Sequence, residues 1–236
     1  MTHKIDLLIT KIDSKMVEIL KTNRLFSELK RRPPTPKELS QYLINCHYLI
    51  TYTQPNLRSA LIASVKAYNR ELSDYFLDKI FEEIGHEKWA EDDVLQNNLQ
   101  SHSNMNSPTA SLKKLTEYLT KISTDYPLQY SAYVLVAEYS MAHYGQRVLE
   151  LFRATSNENN KMTVVSKHVE LDAEHSDCDE KKLIEILNKT TLEQFQLLIE
   201  TVSYSLDLLD KSIAESFDES NTITTKQSNI KSIASI

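Results

Sequence analysis

Two short stretches of this chain carry carboxylate and imidazole side chains at helical spacing. The first holds Glu83 and His86, three residues apart, and the second holds His168, Asp172 and His175 at positions i, i+4 and i+7. On an α-helix, residues three or four apart lie on the same face. Carboxylate oxygens and imidazole nitrogens placed in this way can reach a common metal ion. Each stretch is therefore a candidate half of a metal site.

A third candidate ligand, Glu138, lies in the middle of a stretch that is apolar nearly all round. Such a stretch predicts a central, buried helix. A buried carboxylate without a partner is costly, so Glu138 must be paired, protonated or bound to a metal. A salt bridge or a hydrogen bond from one of the chain's 12 tyrosines would satisfy it equally well.

Together these six side chains are three carboxylates and three imidazoles, with no thiolate among them. Such a mixed oxygen and nitrogen set suits iron or manganese better than structural zinc. Six protein ligands are too many for one catalytic metal that must keep positions open. They suit two metals about 3.5–4 Å apart, bridged by a carboxylate such as Glu138.

A ferritin-like bundle is the first diiron architecture to test, because it uses two Glu-x-x-His motifs and two further glutamates on separate helices. That plan needs a carboxylate on a helix before Glu83. The segment 39–70 contains no Asp or Glu at all. The plan also has no role for His168, so the ferritin-like interpretation fails on both counts.

The elements that must position these ligands are predicted to be helices throughout. With only two glycines in 236 residues, the chain is a poor match for folds with many tight turns and contains no glycine-rich phosphate-binding loop. Thr35-Pro36-Lys37-Glu38 predicts a capped helix start, and Pro55 predicts a break or kink. Predicted helices cover about 4–21, 36–52, 57–68, 70–95, from 107 onward, 128–151, 161–175, 180–187 and 192–217.

Charge and cysteine content limit the binding partners and the cellular compartment that the sequence predicts. The net charge of −6 gives no general attraction to nucleic acid or to an anionic membrane surface. Two cysteines, Cys46 and Cys178, make no disulfide framework, and no apolar run is long enough for a membrane span. These features predict a soluble, cytoplasmic protein with one helical domain over 1–217 and a flexible tail over 218–236.

The order and spacing of the six ligands resemble those of the heme-oxygenase-like diiron oxidases, a family of iron-containing redox enzymes. The matching segments are Glu83-Ile-Gly-His86-Glu, the mid-helix Glu138 and His168-x-x-x-Asp172-x-x-His175. The resemblance implies an all-α bundle of about seven core helices, often a homodimer, with two irons at its centre. Gly85, between the first two ligands, is predicted to allow close approach of a neighbouring helix or of substrate.

The same resemblance implies the chemistry. Two Fe(II) ions would reduce dioxygen to a peroxo-diiron(III) species that oxidises a small molecule, with an external electron donor as one expected partner. For this chain we predict an amino-acid-type metabolite and oxidative C–C cleavage to an alkene or nitrile, in natural-product biosynthesis. The predicted substrate-binding residues supply aromatic walls and cations: Tyr48, Tyr52, Arg58, Tyr133 and Arg147.

Three alternatives remain open on the sequence alone. One is N-oxygenation at the same diiron site. Another is a cofactor-free thiaminase or binding protein on the same scaffold, for which Cys46 is the candidate nucleophile. The last is a helical interaction protein that keeps a vestigial metal site.

Overall fold

Helices make up nearly all of the chain that the structure describes. The computed structural model describes residues 4–96, 107–153 and 162–218, and for 172–180 it describes the backbone alone. No strand occurs in these ranges, which confirms the all-α prediction. The helices are Lys4–Thr22 (α1), Arg24–Leu29 (α2), Pro36–Lys66 (α3), Arg70–Glu82 (α4), His86–Gln96 (α5), Ala110–Asp125 (α6), Pro127–Arg153 (α7), Thr163–Asn188 (α8) and Leu192–Glu215 (α9).

The buried central helix predicted around Glu138 is α7. It packs against α1, α3, α6, α8 and α9. Its side chains contribute to all three apolar clusters of the core, as Tyr130, Val136 and Phe152 show, one in each cluster. No helix in the described ranges combines the length and apolar character that crossing a membrane requires.

Local hydrogen bonds set the starts of two long helices. The Thr35 hydroxyl accepts from the Glu38 amide at 3.2 Å, and the Thr35 amide donates to the Glu38 carboxylate at 2.9 Å, with Pro36 at the first helical position. This confirms the capping box predicted for α3. Thr191 and Gln194 form a second capping box at the start of α9, which we did not predict.

The predicted break at Pro55 is wrong, because α3 continues through it from Pro36 to Lys66. Proline removes one backbone hydrogen bond from a helix. Packing outweighs that loss here: Leu57, two residues later, is 1% exposed. The Gln54 side chain also donates to the Ile80 carbonyl oxygen at 2.8 Å, which ties this part of α3 to α4.

The long helix predicted over 70–95 is interrupted where the first two candidate ligands lie. Helix α4 ends at Glu82, and α5 begins at His86. Gly85, in the turn between them, has φ +87°, a conformation that glycine adopts without strain. A β-carbon on Gly85 would meet nothing within 4 Å, so the predicted close approach at this residue is wrong. The glycine is needed for its backbone conformation.

Gly85→Ala should therefore lower the free energy of unfolding by about 1 kcal/mol, because an L side chain disfavours positive φ. Urea unfolding followed by circular dichroism measures the change. Lys88→Ala, at an exposed position of α5, is the matched control and should stay within about 0.5 kcal/mol of the parent protein. Equal stability of the Gly85→Ala variant and the parent would contradict the strain argument.

The segment predicted as two helices, 161–175 and 180–187, is the single helix α8. The predicted gap between them rested on a polar run, Ser176 to Asp179. That run contains neither glycine nor proline, so nothing in it stops a helix once begun. Leu183, beyond the run, is buried at 2% exposure and anchors the second half.

The predicted boundary of the tail falls inside the packed bundle by one residue. Asp218 is 7% exposed, its amide donates to Glu38 at 3.2 Å, and its carboxylate accepts from Lys37 at 3.2 Å. Asp218 therefore closes the start of α3 from the far end of the chain. Residues 219–236, the remainder of the predicted tail, lie outside the described residues.

Candidate metal centre

Three of the predicted ligands meet in one cluster. Glu83 lies in the turn after α4, His86 is the first residue of α5, and His168 lies on α8. One potential ligand atom from each lies within 4.8 Å of the other two. The cluster therefore joins the turn after α4, helix α5 and helix α8 around a space that a single metal ion could fill.

Glu83 and His86 are in direct contact across the turn. Nδ1 of His86 donates to Oε2 of Glu83 at 3.1 Å, and the two side chains are 7% and 15% exposed, respectively. Burial alone would raise the pKa of Glu83, but the hydrogen bond from His86 and nearby cationic side chains outweigh it and lower the pKa below the ordinary carboxyl value. Glu83 is thus an anionic carboxylate, the form that binds a metal.

His168 is oriented by its own helix. Its Nδ1 donates to the Val164 carbonyl oxygen at 2.7 Å, which places the ring proton on Nδ1 and leaves the Nε2 lone pair for a ligand. Burial lowers the pKa of His168, against the opposing charge of Glu83. The ring is therefore neutral near pH 7, as a metal-ligating imidazole must be.

The chain's single tryptophan supports both histidines. Trp89 stacks on His86 with ring centroids 4.2 Å apart and planes inclined by 24°. It meets His168 edge-on at 5.9 Å. We predicted Trp89 only as an apolar helix position. Its spacing of three residues from His86 is the signal that could have identified it as a support for the ligand.

Glu138 lies on α7 and is held by a lysine that the sequence analysis did not single out. Nζ of Lys79 lies 2.7 Å from Oε1 of Glu138 and 2.7 Å from Oε2 of Glu82. The Lys79 side chain is 1% exposed, and that of Glu138 is 21% exposed. A lysine four residues before Glu83, on the same face of α4, is the signal that could have indicated it.

The remaining two predicted ligands, Asp172 and His175, fall within α8 beyond His168. Their side chains lie outside the described residues. The structure thus brings Glu83, His86 and His168 together and places Glu138 beside Lys79.

Helices α7 and α8 approach each other closely next to His168. A β-carbon on Gly145 of α7 would lie 2.5 Å from Cγ2 of Val169 and 3.3 Å from Sδ of Met141. Such contacts are impossible without movement, so α8 can lie this close only because position 145 is glycine. The close approach that we predicted at Gly85 occurs at Gly145 instead.

A cavity of about 210 Å³, partly open to solvent, adjoins this cluster. Lys79, Glu83, Glu138 and His168 form its polar end. The rest of its lining is largely aliphatic and aromatic, including Leu49, Leu57, Val134, Met141, Val165 and Ile213. A molecule in this cavity would be surrounded by apolar side chains while one end meets the candidate ligands.

Only one of the five predicted substrate-binding residues, Tyr133, lines this cavity. Tyr48 and Tyr52 pair with each other instead, with ring centroids 5.0 Å apart. Arg58 and Arg147 are exposed side chains outside it. Among the described residues, the cation that lines the cavity is Lys79.

Cys46, the candidate nucleophile of the cofactor-free alternative, also lines the cavity. Burial, with a contribution from the charge of Asp93, raises the pKa of Cys46 to about 12. The thiolate is the reactive form of cysteine. At neutral pH Cys46 is a protonated thiol, which is a poor nucleophile.

Comparison by sequence identifies no relative: no protein-family model matches the chain, and no curated protein does. Comparison by structure finds proteins with a similar fold. A domain of unknown function with a heme oxygenase-like fold from Shewanella denitrificans OS217 superposes with a TM-score of 0.76 at 20% identity, over 93% of this chain and 94% of that one.

Two further solved structures have the same architecture. A TenA homolog from Pseudomonas syringae pv. tomato DC3000 has a TM-score of 0.71 at 16% identity, over 90% of this chain and 91% of that one. A CADD-like protein of unknown function from Nostoc punctiforme PCC 73102 has a TM-score of 0.62 at 13% identity, over 88% and 96%. The chain therefore has a heme-oxygenase-like fold, as predicted.

Proposed function

We propose that this protein is a non-heme diiron enzyme that uses dioxygen to oxidise a small amino-acid-type metabolite. The observation that carries the proposal is the cluster of Glu83, His86 and His168 beside a largely apolar cavity. Two imidazoles and one carboxylate can hold one Fe(II) ion and leave positions open for dioxygen and substrate; the proposal of a second ion rests on the remaining predicted ligands.

The resemblance groups His168 with Asp172 and His175, but His168 lies with Glu83 and His86. We therefore assign His168 to the first ion, and a second ion would be held by the remaining predicted ligands, Glu138, Asp172 and His175. Glu138 supports this assignment because it lines the same cavity as Glu83 and His168. A carboxylate from α7 in this cavity could bridge two ions. Bound iron would supply the electrons that reduce dioxygen.

The protein's own contribution is orientation and exclusion of water. The Val164 carbonyl fixes the His168 ring, and Trp89 stacks on the ring of His86. The apolar walls keep bulk water from the reacting end, which strengthens every electrostatic interaction there. A substrate with a bulky apolar side chain matches these walls, with its polar group at the metal end.

Oxidative C–C cleavage to an alkene or nitrile is the reaction that we propose, and N-oxygenation is the alternative at the same site. Product masses separate them, since cleavage shortens the carbon skeleton and N-oxygenation adds oxygen to it. The TenA homologs share the fold, but the raised pKa of Cys46 does not favour a thiolate mechanism in this chain.

The decisive test compares two isosteric changes, Glu83→Gln and Glu87→Gln. Glu87 is an exposed residue of α5 and serves as the control. The proteins are loaded with Fe(II) under anaerobic conditions, analysed for bound iron, and exposed to dioxygen with a chemical reductant and a panel of apolar amino acids. The reductant stands in for the predicted electron donor.

The parent protein and Glu87→Gln should bind about two irons per chain and consume dioxygen. Glu83→Gln should lose most of that consumption, because an amide oxygen is a much weaker iron ligand than a carboxylate. Loss of dioxygen consumption in neither variant, or the absence of bound iron in the parent protein, would refute the diiron proposal.

A further inference from the structure

We propose that Lys79 sets the order in which the two metal ions bind. Its ammonium holds Glu138 until the second ion displaces the ammonium from that carboxylate. This inference rests on the proposed diiron function. It adds a positioning role for a residue that is not a ligand. In the metal-free protein the Lys79 ammonium would stand in for the missing positive charge beside Glu138.

The contacts of Lys79 fit such a role. Its ammonium lies 2.7 Å from a carboxylate oxygen of Glu138 on α7 and 2.7 Å from one of Glu82 on its own helix. The side chain is 1% exposed, and the ammonium lies 5.9 Å from the centroid of the Tyr75 ring. A buried charge persists only when it is paired in this way. Lys79 therefore neutralises two partly buried carboxylates.

The first metal ion can bind without disturbing this arrangement. Its ligands, Glu83, His86 and His168, already lie together, whereas the ion pairs of Lys79 described above are with Glu138 and Glu82. Filling that position replaces the hydrogen bond between His86 and Glu83 and leaves Glu138 where it is. The first site is thus preorganised.

The second ion cannot bind in the same way. A bridging carboxylate uses both of its oxygens, and Oε1 of Glu138 is occupied by the Lys79 ammonium. Two cations on one carboxylate oxygen repel each other strongly at contact distance in a poorly solvated site. The second ion must therefore compete with Lys79, and it binds more weakly than the first.

Glu82 is an ion-pair partner that Lys79 can keep when the second ion displaces it from Glu138. It lies three residues after Lys79, at the end of α4, and its side chain is 26% exposed. Lys79 already contacts Glu82, so the second ion breaks the ion pair of Lys79 with Glu138 and leaves its ion pair with Glu82. Removing Glu82 should hold Lys79 more firmly on Glu138, whereas removing the lysine charge should release Glu138.

Titration with Mn(II) alone tests these opposite effects without any turnover. Electron paramagnetic resonance measures the concentration of free Mn(II). Fluorescence emission from Trp89, which stacks on His86, measures the occupancy of the first site. The variants are Lys79→Met, Glu82→Gln and, as a control for general loss of positive charge, Lys182→Met. Lys182 also joins α8 to α4, through Asp78, but is 40% exposed.

The quantity to compare is the ratio of the second dissociation constant to the first. Lys79→Met should lower this ratio by about tenfold or more, because a competing charge in contact with the ligand is removed. Glu82→Gln should raise the ratio, and Lys182→Met should leave it unchanged. If Lys79→Met does not fold, as judged by circular dichroism, the direction of the Glu82→Gln change decides the question.

Two failures can be told apart. An unchanged ratio in Lys79→Met, with two ions still bound, overturns the role of Lys79 and leaves the diiron proposal intact. Binding of one ion only in the parent and in every variant overturns both. Two ions in Lys79→Met but one in the parent would be the strongest form of the expected result.

Discussion

Replacing His168 by alanine will weaken Mn(II) binding to the first site by more than about 100-fold. Loss of a hydrogen-bonding partner behind a metal ligand already costs about 10–100-fold in affinity, so loss of the ligand itself must cost more. His168 is also the only member of the cluster that α8 contributes among the described side chains. Without it, Glu83 and His86 retain only each other.

His143→Ala is the matched control for this experiment. His143 is an exposed histidine of α7, stacked on Tyr139 with ring centroids 3.9 Å apart, and it is not one of the clustered ligands. Quenching of Trp89 emission during the titration should follow the parent curve in His143→Ala and shift to much higher metal concentration in His168→Ala. Equal affinities in the two variants would show that the cluster is not the metal site.

Gly145→Ala will lower both stability and metal affinity, although Gly145 is not a ligand. The new β-carbon would lie 2.5 Å from Cγ2 of Val169, the residue next to His168. Overpacking of this kind costs about 1–3 kcal/mol in the free energy of unfolding. Because valine is stiff at χ1, α8 has to move away from α7, and His168 moves with it.

Shortening the opposing side chain should reverse the metal effect. The double variant Gly145→Ala with Val169→Ala removes the atom that the new β-carbon would strike, so Mn(II) affinity should return toward that of Val169→Ala alone. The non-additivity of the two changes is the measured signature. If Gly145→Ala binds Mn(II) as tightly as the parent protein, the spacing of α7 and α8 does not position His168.

Features that depend on neighbouring residues were predictable from the sequence. The capping box of Thr35 and Glu38 involves residues three apart, and its chemistry is fully present in the local sequence. The buried character of α7 followed in the same way from side chains that are apolar on every face. The spacing of Glu83, His86 and His168 indicated a metal site for a similar reason, since each motif spans two turns of helix or fewer.

Features that depend on tertiary packing were not predictable. The ion pair of Lys79 with Glu138 joins residues on α4 and α7. The spacing of Lys79 and Glu83 could place the lysine near the site, but no local pattern identifies its partner on α7. Pro55 was expected to break or kink α3; the break does not occur, since packing and the contact of Gln54 with α4 keep the helix continuous. Gly85 was tolerated in a continuous helical pattern because one glycine weakens a helix without forbidding it. The turn became evident only from its backbone conformation.

That turn would give a bound metal ion a second role. Had Glu83 and His86 shared one rigid helix, an ion bound to them would add little to the stability of the tertiary structure. Instead they straddle the joint between α4 and α5, and His168 adds α8. An ion held by all three would therefore fix the positions of α4, α5 and α8 relative to one another. Since a ligand that binds only the native state shifts the folding equilibrium toward it, the iron supply of the cell would govern how much of this protein is folded as well as how much is active.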